Sequence, residues 1–110
     1  MESITPTPDD VRLANMLHAL GNPTRVAIVR YIANHPGCIC NDLVLRFNRA
    51  QATVSQHLAV LRRTQILLAE RDGHATCYWI NLEHVAWLQA CMQTIGGEQS
   101  KPIERKGFTV

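Results

Sequence analysis

Four cysteines, Cys38, Cys40, Cys77 and Cys91, are the side chains of this 110-residue chain best suited to covalent or metal chemistry. The N-terminal MESITPTPDD has neither a basic start nor an apolar core for a signal peptide, and no run of about 18 apolar residues occurs. A cytoplasmic location without a membrane partner is therefore expected. There thiols stay reduced, so metal binding or thiol chemistry is the expected use of the cysteines rather than a disulfide framework. Cys38 and Cys40 lie beside a Pro36-Gly37 break, where two thiols are poorly placed to fill a core. On a regular helix, residues two apart point about 200° away from each other, whereas on extended chain they share a side. Joint ligation by this pair therefore requires an extended or unwound backbone. Two soft thiolates select a thiophilic ion, and an ion that takes three sulfurs needs one more. Cys91 or Cys77, from the same or a second subunit, is the candidate for the third. Each also has an ordinary use as a small buried side chain.

A second group of residues carries a different chemistry. In QATVSQHLAVLRR, Val54, Leu58 and Leu61 recur at helical spacing and must face inward. The opposite face holds Ala52, Gln56, Ala59 and Arg63, which is small, polar and basic. Such a face can enter a DNA major groove, where glutamine, serine and threonine hydrogen-bond to base edges. Arg46, Arg49, Arg62, Arg63 and Arg71 are set against only Glu70 and Asp72 between residues 46 and 80, although the whole chain has a net charge of only +2. Phosphate contact is the expected role of these arginines, beyond the general preference for bases at a helix C-terminus. His57 can serve either a phosphate or an internal hydrogen bond.

The elements that position these groups follow from periodicity and punctuation. Residues 1–8 contain Pro6 and Pro8, show no periodicity and are expected to be mobile. Leu13, Met16, Leu17 and Leu20 mark a first helix ended by Gly21. Asn22 and Pro23 start the next as N-cap and first helical residue, with Val26, Val29 and Ala33, flanked by Ile28 and Ile32, as its core face. A short helix from Cys40 to Phe47, with Leu43, Val44 and Phe47 inward, ends at Asn48, a residue tolerant of left-handed backbone. Helix, turn and helix then form the supersecondary unit of DNA readers. Residues 66–71 and 75–80 read as strands joined at Asp72-Gly73, a hairpin wing. A last helix spans Leu82 to Ile95, with Val85, Leu88, Met92 and Ile95 on one side. Residues 9–96 are expected to form one domain and 97–110 a disordered tail.

The phrases LGNPTRVAIVRYI, QATVSQHLAVLRRTQIL and ERDGHATCYWI resemble the ArsR/SmtB family of metal-responsive winged-helix repressors, from about Leu13 to Cys91. The resemblance implies a mainly α winged helix-turn-helix of five helices and two strands. It also implies a homodimer joined through its first and last helices (Leu13, Met16, Leu17, Val85, Leu88, Met92 and Ile95), operator DNA as partner, and release by an inducer. DNA contact is then assigned to Arg49, Gln51, Thr53, Ser55, Gln56, His57, Arg62, Arg63, Arg71 and His74. PGCICNDL is similar to the Cys-x-Cys phrase of arsenic-type members, with Asn41 as an additional residue. That likeness points to an As(III) or Sb(III) inducer, or another thiophilic ion, with no obligatory cofactor. Zinc-sensing relatives place ligands on the last helix. Here only His84 and Glu98 fit, and Leu82 and Ile95 stand where the others belong.

The expected function is an inducible repressor. An oxidant or reactive-sulfur sensor using the same thiols is the alternative, and a protein-interaction module without specific DNA binding is a further one. An enzyme is not expected, because Cys38 and His35 form a local pair without an orienting third group.

Overall fold

The structure, a computed structural model, describes residues 3–97. The expected tail from Glu98 onward, and with it Glu98 as a zinc-ligand candidate, lies outside the described residues. The element order is α1 (Pro8–Leu20), α2 (Pro23–Asn34), β1 (Cys38–Ile39), α3 (Cys40–Phe47), α4 (Gln51–Arg63), β2 (Leu67–Asp72), β3 (Ala75–Ile80) and α5 (Leu82–Ile95). No helix among these residues is long and apolar enough to cross a membrane.

Side chains of the caps fix the helix ends. Thr7 Oγ1 accepts from the Asp10 N–H at 3.1 Å while the Thr7 N–H donates to the Asp10 carboxylate at 2.9 Å, a reciprocal cap that starts α1 at Pro8. The helix thus begins before the first apolar residue of its stripe. Asn22 Oδ1 accepts from the N–H groups of Thr24 and Arg25 at 2.9 and 3.2 Å, with Pro23 in the first turn as expected. Asn48, at φ 48° and ψ 47°, closes α3 in the left-handed region. Asn81 caps α5 through its side chain and donates its own N–H to the Ile66 carbonyl at 2.9 Å, tying the end of the wing to its beginning.

Met16, Ile28, Ile32, Leu43, Val54, Leu58, Leu61, Ile66 and Leu67 fill the core, and each such side chain contributes about 1.5–3 kcal/mol by leaving water. α4 is therefore held from several sides. The inward face of α2 is Ile28 and Ile32, with Val29 half-buried against the core as expected, rather than Val26 and Ala33. Val26 is partly exposed and Ala33 exposed, because α1 and α4 approach α2 from the isoleucine side. Met16 and Leu88, expected at a dimer interface, belong instead to the single chain's own core, at 1% and 8% exposure.

The sheet carries one more strand than the sequence implies. Its order is β1-β3-β2, all antiparallel, with Cys38 opposite Tyr78 and Ile39 opposite Cys77. Gly37 leads into β1 at φ 86°, a conformation that suits glycine, and its N–H donates to the Tyr78 carbonyl at 2.8 Å. Asp72 pairs with Ala75, so the two-residue hairpin loop is Gly73-His74 and not Asp72-Gly73. The pairing extends one residue further than expected. Gly73 then supplies the positive φ, 64°, at the first loop position, as a Gly-X hairpin requires.

Candidate nucleic-acid interface and thiol site

The turn Asn48-Arg49-Ala50 presents α4 as the second helix of a helix-turn-helix. Val54, Leu58 and Leu61 are buried on one side, and Ala52, Gln56, Ala59 and Arg63 are exposed on the other. Gln51, Thr53, Ser55 and Arg62 are exposed along the same helix, Arg49 in the turn before it, and Arg71 and His74 on the wing. α4 has neither a capping side chain nor an acidic residue in its first turn. Its positive end is left unneutralised, which favours an approaching phosphate.

His57 lies apart from the other residues assigned to DNA. It is half-buried, and its Nδ1 lies 3.4 Å from the guanidinium of Arg25 at the start of α2. Burial, then the charges of Arg25 and Arg49, lower its pKa below the usual 6.5. Arg25 also donates to the carbonyls of Ala19 and His18 at the end of α1. One guanidinium thereby ties α1, α2 and α4 together. Sequence reasoning missed this residue, since no local pattern marks an arginine whose partners lie on two other helices.

The thiol pair occupies the entrance to the same unit. β1 is extended, Ile39 having φ −106° and ψ 166°, and Cys40 is the first residue of α3. The Cys38-x-Cys40 pair is therefore on the extended helix start that joint ligation requires. Cys38 is not in an open loop, however; at 8% exposure it belongs to the core, because β1 pairs with β3. Burial, then the nearby Asp42 carboxylate, push its thiol up to about 11. Asp42 is held there by the Ile39 N–H at 2.9 Å. Cys40 is only half-buried, and its Sγ lies 3.6 Å from Ser55 Oγ. This contact joins the thiol pair to the exposed side of α4. Tyr78, opposite Cys38, completes the group; burial and then Cys40 raise its hydroxyl pKa. No local pattern marks Tyr78, whose place depends on the unexpected strand.

Cys77 comes near enough for its charge to add to the rise in the Cys38 pKa, but not onto the same face. Cys77 lies opposite Ile39 and alternates with Tyr78, so it faces the other side of the sheet from Cys38. Cys91 is half-buried on α5. Among the described residues no three His, Cys, Asp or Glu side chains converge as a metal-binding group. His84, the zinc-type position on α5, has its Nδ1 3.1 Å from the Arg12 guanidinium, a neighbour that repels a cation. His35 is engaged structurally, stacked on Tyr31 at 4.1 Å with its Nδ1 2.9 Å from the Tyr31 carbonyl.

Comparison with known proteins places this geometry. The family model described as "Bacterial regulatory protein, arsR family" matches residues 22–67, which include the helix-turn-helix. The arsenic resistance transcriptional regulator ArsR2 of Pseudomonas putida is 33% identical over 88 residues, covering 79% of this chain and 71% of that protein. The chain belongs to the arsR family. The transcriptional repressor SmtB of Mycobacterium tuberculosis is 34% identical over 71 residues, 64% of this chain, and this match spans only 52% of SmtB. In fold, the chain is similar to a homodimeric winged helix-turn-helix DNA-binding domain from Mycobacterium bovis, with a TM-score of 0.66 at 23% identity, covering 94% of this chain and 97% of that one. This arsR-family chain is a transcriptional regulator with a DNA-binding winged helix, not an enzyme.

Proposed function

We propose that the chain is a homodimeric repressor of a palindromic operator, released when a thiophilic metal or metalloid ion, of the As(III) or Sb(III) type, is taken by Cys38 and Cys40. The observation that carries this reading is the 3.6 Å contact between Cys40 Sγ and Ser55 Oγ. An event at the thiol pair reaches the DNA-reading helix through one side chain. Ser55, Gln56, Gln51 and Thr53 supply base-edge contacts, and Arg49, Arg62, Arg63, Arg71 and His74 meet phosphate. Apolar residues of α1 and α5 left exposed, Leu17, Leu82, Met92 and Ile95, support the dimer. So does the printed description of the Mycobacterium bovis domain as homodimeric.

The sulfurs fit a soft ion in part. Cys38 on β1 and Cys40 at the start of α3 flank the extended Ile39, but Cys77 faces away, leaving Cys91 or a thiol from solution to complete a three-sulfur shell. On capture of As(OH)3 the Cys38 proton leaves with a hydroxide as water, and an ion on Cys40 displaces its contact with Ser55. The raised Cys38 pKa weighs against the redox alternative at that residue, since the thiolate is the reactive form.

A mobility-shift titration with the upstream DNA tests the proposal. Operator binding that is lost on adding arsenite in the presence of reductant is the expected result. Cys38→Ser and Cys40→Ser should bind the operator normally and stay bound with arsenite. Normal release by both variants would refute the sensor, and equal weak binding to every DNA sequence would refute the repressor.

A further inference from the structure

We propose that a second ligand, a small multivalent oxyanion, binds in a cavity between α1, the C-terminal end of α4 and the start of α5. The cavity is about 600 Å³, within the range of small-molecule sites. Arg12, His18, Arg63 and His84 line it from three helices, and Asn15 and Gln65 add polar side chains, while the lining contains no carboxylate. The guanidiniums of Arg12 and Arg63, with no carboxylate in the lining, give the hollow a positive potential that an anion relieves.

Arg12 is already placed for binding. Its guanidinium lies 3.8 Å from the centre of the Trp87 ring, and its terminal nitrogen lies 3.1 Å from His84 Nδ1. Held on two sides, it loses little freedom when it pairs with a ligand. As the acceptor of this bond, His84 Nδ1 leaves the ring proton on Nε2, which adds a second donor. The hollow lies on the α1 side of α4. The Ser55, Ala59 and Arg62 side faces Tyr78 of the wing, so the hollow shares only Arg63, at the end of α4, with the proposed DNA face.

The site needs neither DNA nor the thiol inducer. Melting of the full chain is followed against citrate and against inorganic phosphate, with ionic strength held constant by sodium chloride. A saturable rise in melting temperature is expected with at least one probe, and the tighter probe shows whether carboxylate or phosphate chemistry is preferred. Arg12→Gln should weaken that probe at least about tenfold, the usual effect of losing a charge-assisted bond. Asn15→Asp, which removes no packing from this exposed position, should do the same by placing a negative charge in the lining. Arg30→Gln, exposed on α2, should respond as the parent does. A response that does not saturate would overturn the site, as would parent-like binding by both Arg12→Gln and Asn15→Asp. A cavity closed by a second subunit gives no saturation and overturns it equally.

Discussion

Cys38 couples proton loss to ligand capture more strongly than an exposed thiol would. Burial and Asp42 move its pKa from 9.0 to about 11, so at neutral pH an ion must displace its proton. Affinity for a thiophilic dication such as Cd(II), which releases that proton to solvent, should therefore rise between pH 6 and 8, with this residue contributing about one log unit per pH unit. As(OH)3, whose hydroxide carries the proton off as water, should show little slope. Cys38→Ser should remove that part of the Cd(II) slope, measured by thiolate-to-ion absorption across the pH range. His57 has the opposite relation to protons. Its pKa is lower in the folded chain than the usual 6.5, so below that value the unfolded chain binds more protons. Stability should fall as the pH drops from 7 towards 5. Urea denaturation of His57→Gln over that interval should show a shallower dependence, because a neutral amide retains a polar group near Arg25 without titrating.

The helix-turn-helix depends on how its elements end. Asn48 sits in the left-handed region, where most side chains cost about 1–2 kcal/mol. Asn48→Ala should lose about 1 kcal/mol in urea denaturation, whereas Asn48→Gly should stay within a few tenths. Equal losses would mean that the asparagine side chain, not the backbone angle, closes α3. This turn was legible in the sequence, as were the spans of α3 and α5, because apolar spacing and capping residues act within a few residues of one another. β1 was not legible. Two residues have no periodicity, and Cys38–Ile39 becomes a strand only because β3, nearly forty residues away, supplies partners. The burial of Cys38, the face taken by Cys77 and the role of Tyr78 all follow from that pairing, so the thiol site was readable in its residues but not in its surroundings. The capping of α1 by Thr7 and Asp10 was not read, because residues 1–8 with their two prolines show no periodicity.

At the scale of the whole molecule, the division of apolar residues between core and surface decides how two chains can meet. Met16 and Leu88 are used inside the single chain, while Met92 and Ile95 on α5 remain 47% and 63% exposed. These are the residues through which the proposed dimer can be broken without unfolding the domain. Met92→Asp with Ile95→Asp should leave circular dichroism unchanged, since neither residue lies in the core, yet sediment at the mass of one chain. The free energy of joining two half-site contacts is then lost, and operator affinity should fall by roughly 100-fold or more. Binding to an isolated half-site should stay as it was, because α4 and the wing are untouched. A double variant that still sediments as a dimer would move the interface to the groove edged by Val26 and Leu82, where α2, β3 and α5 leave a second apolar surface open.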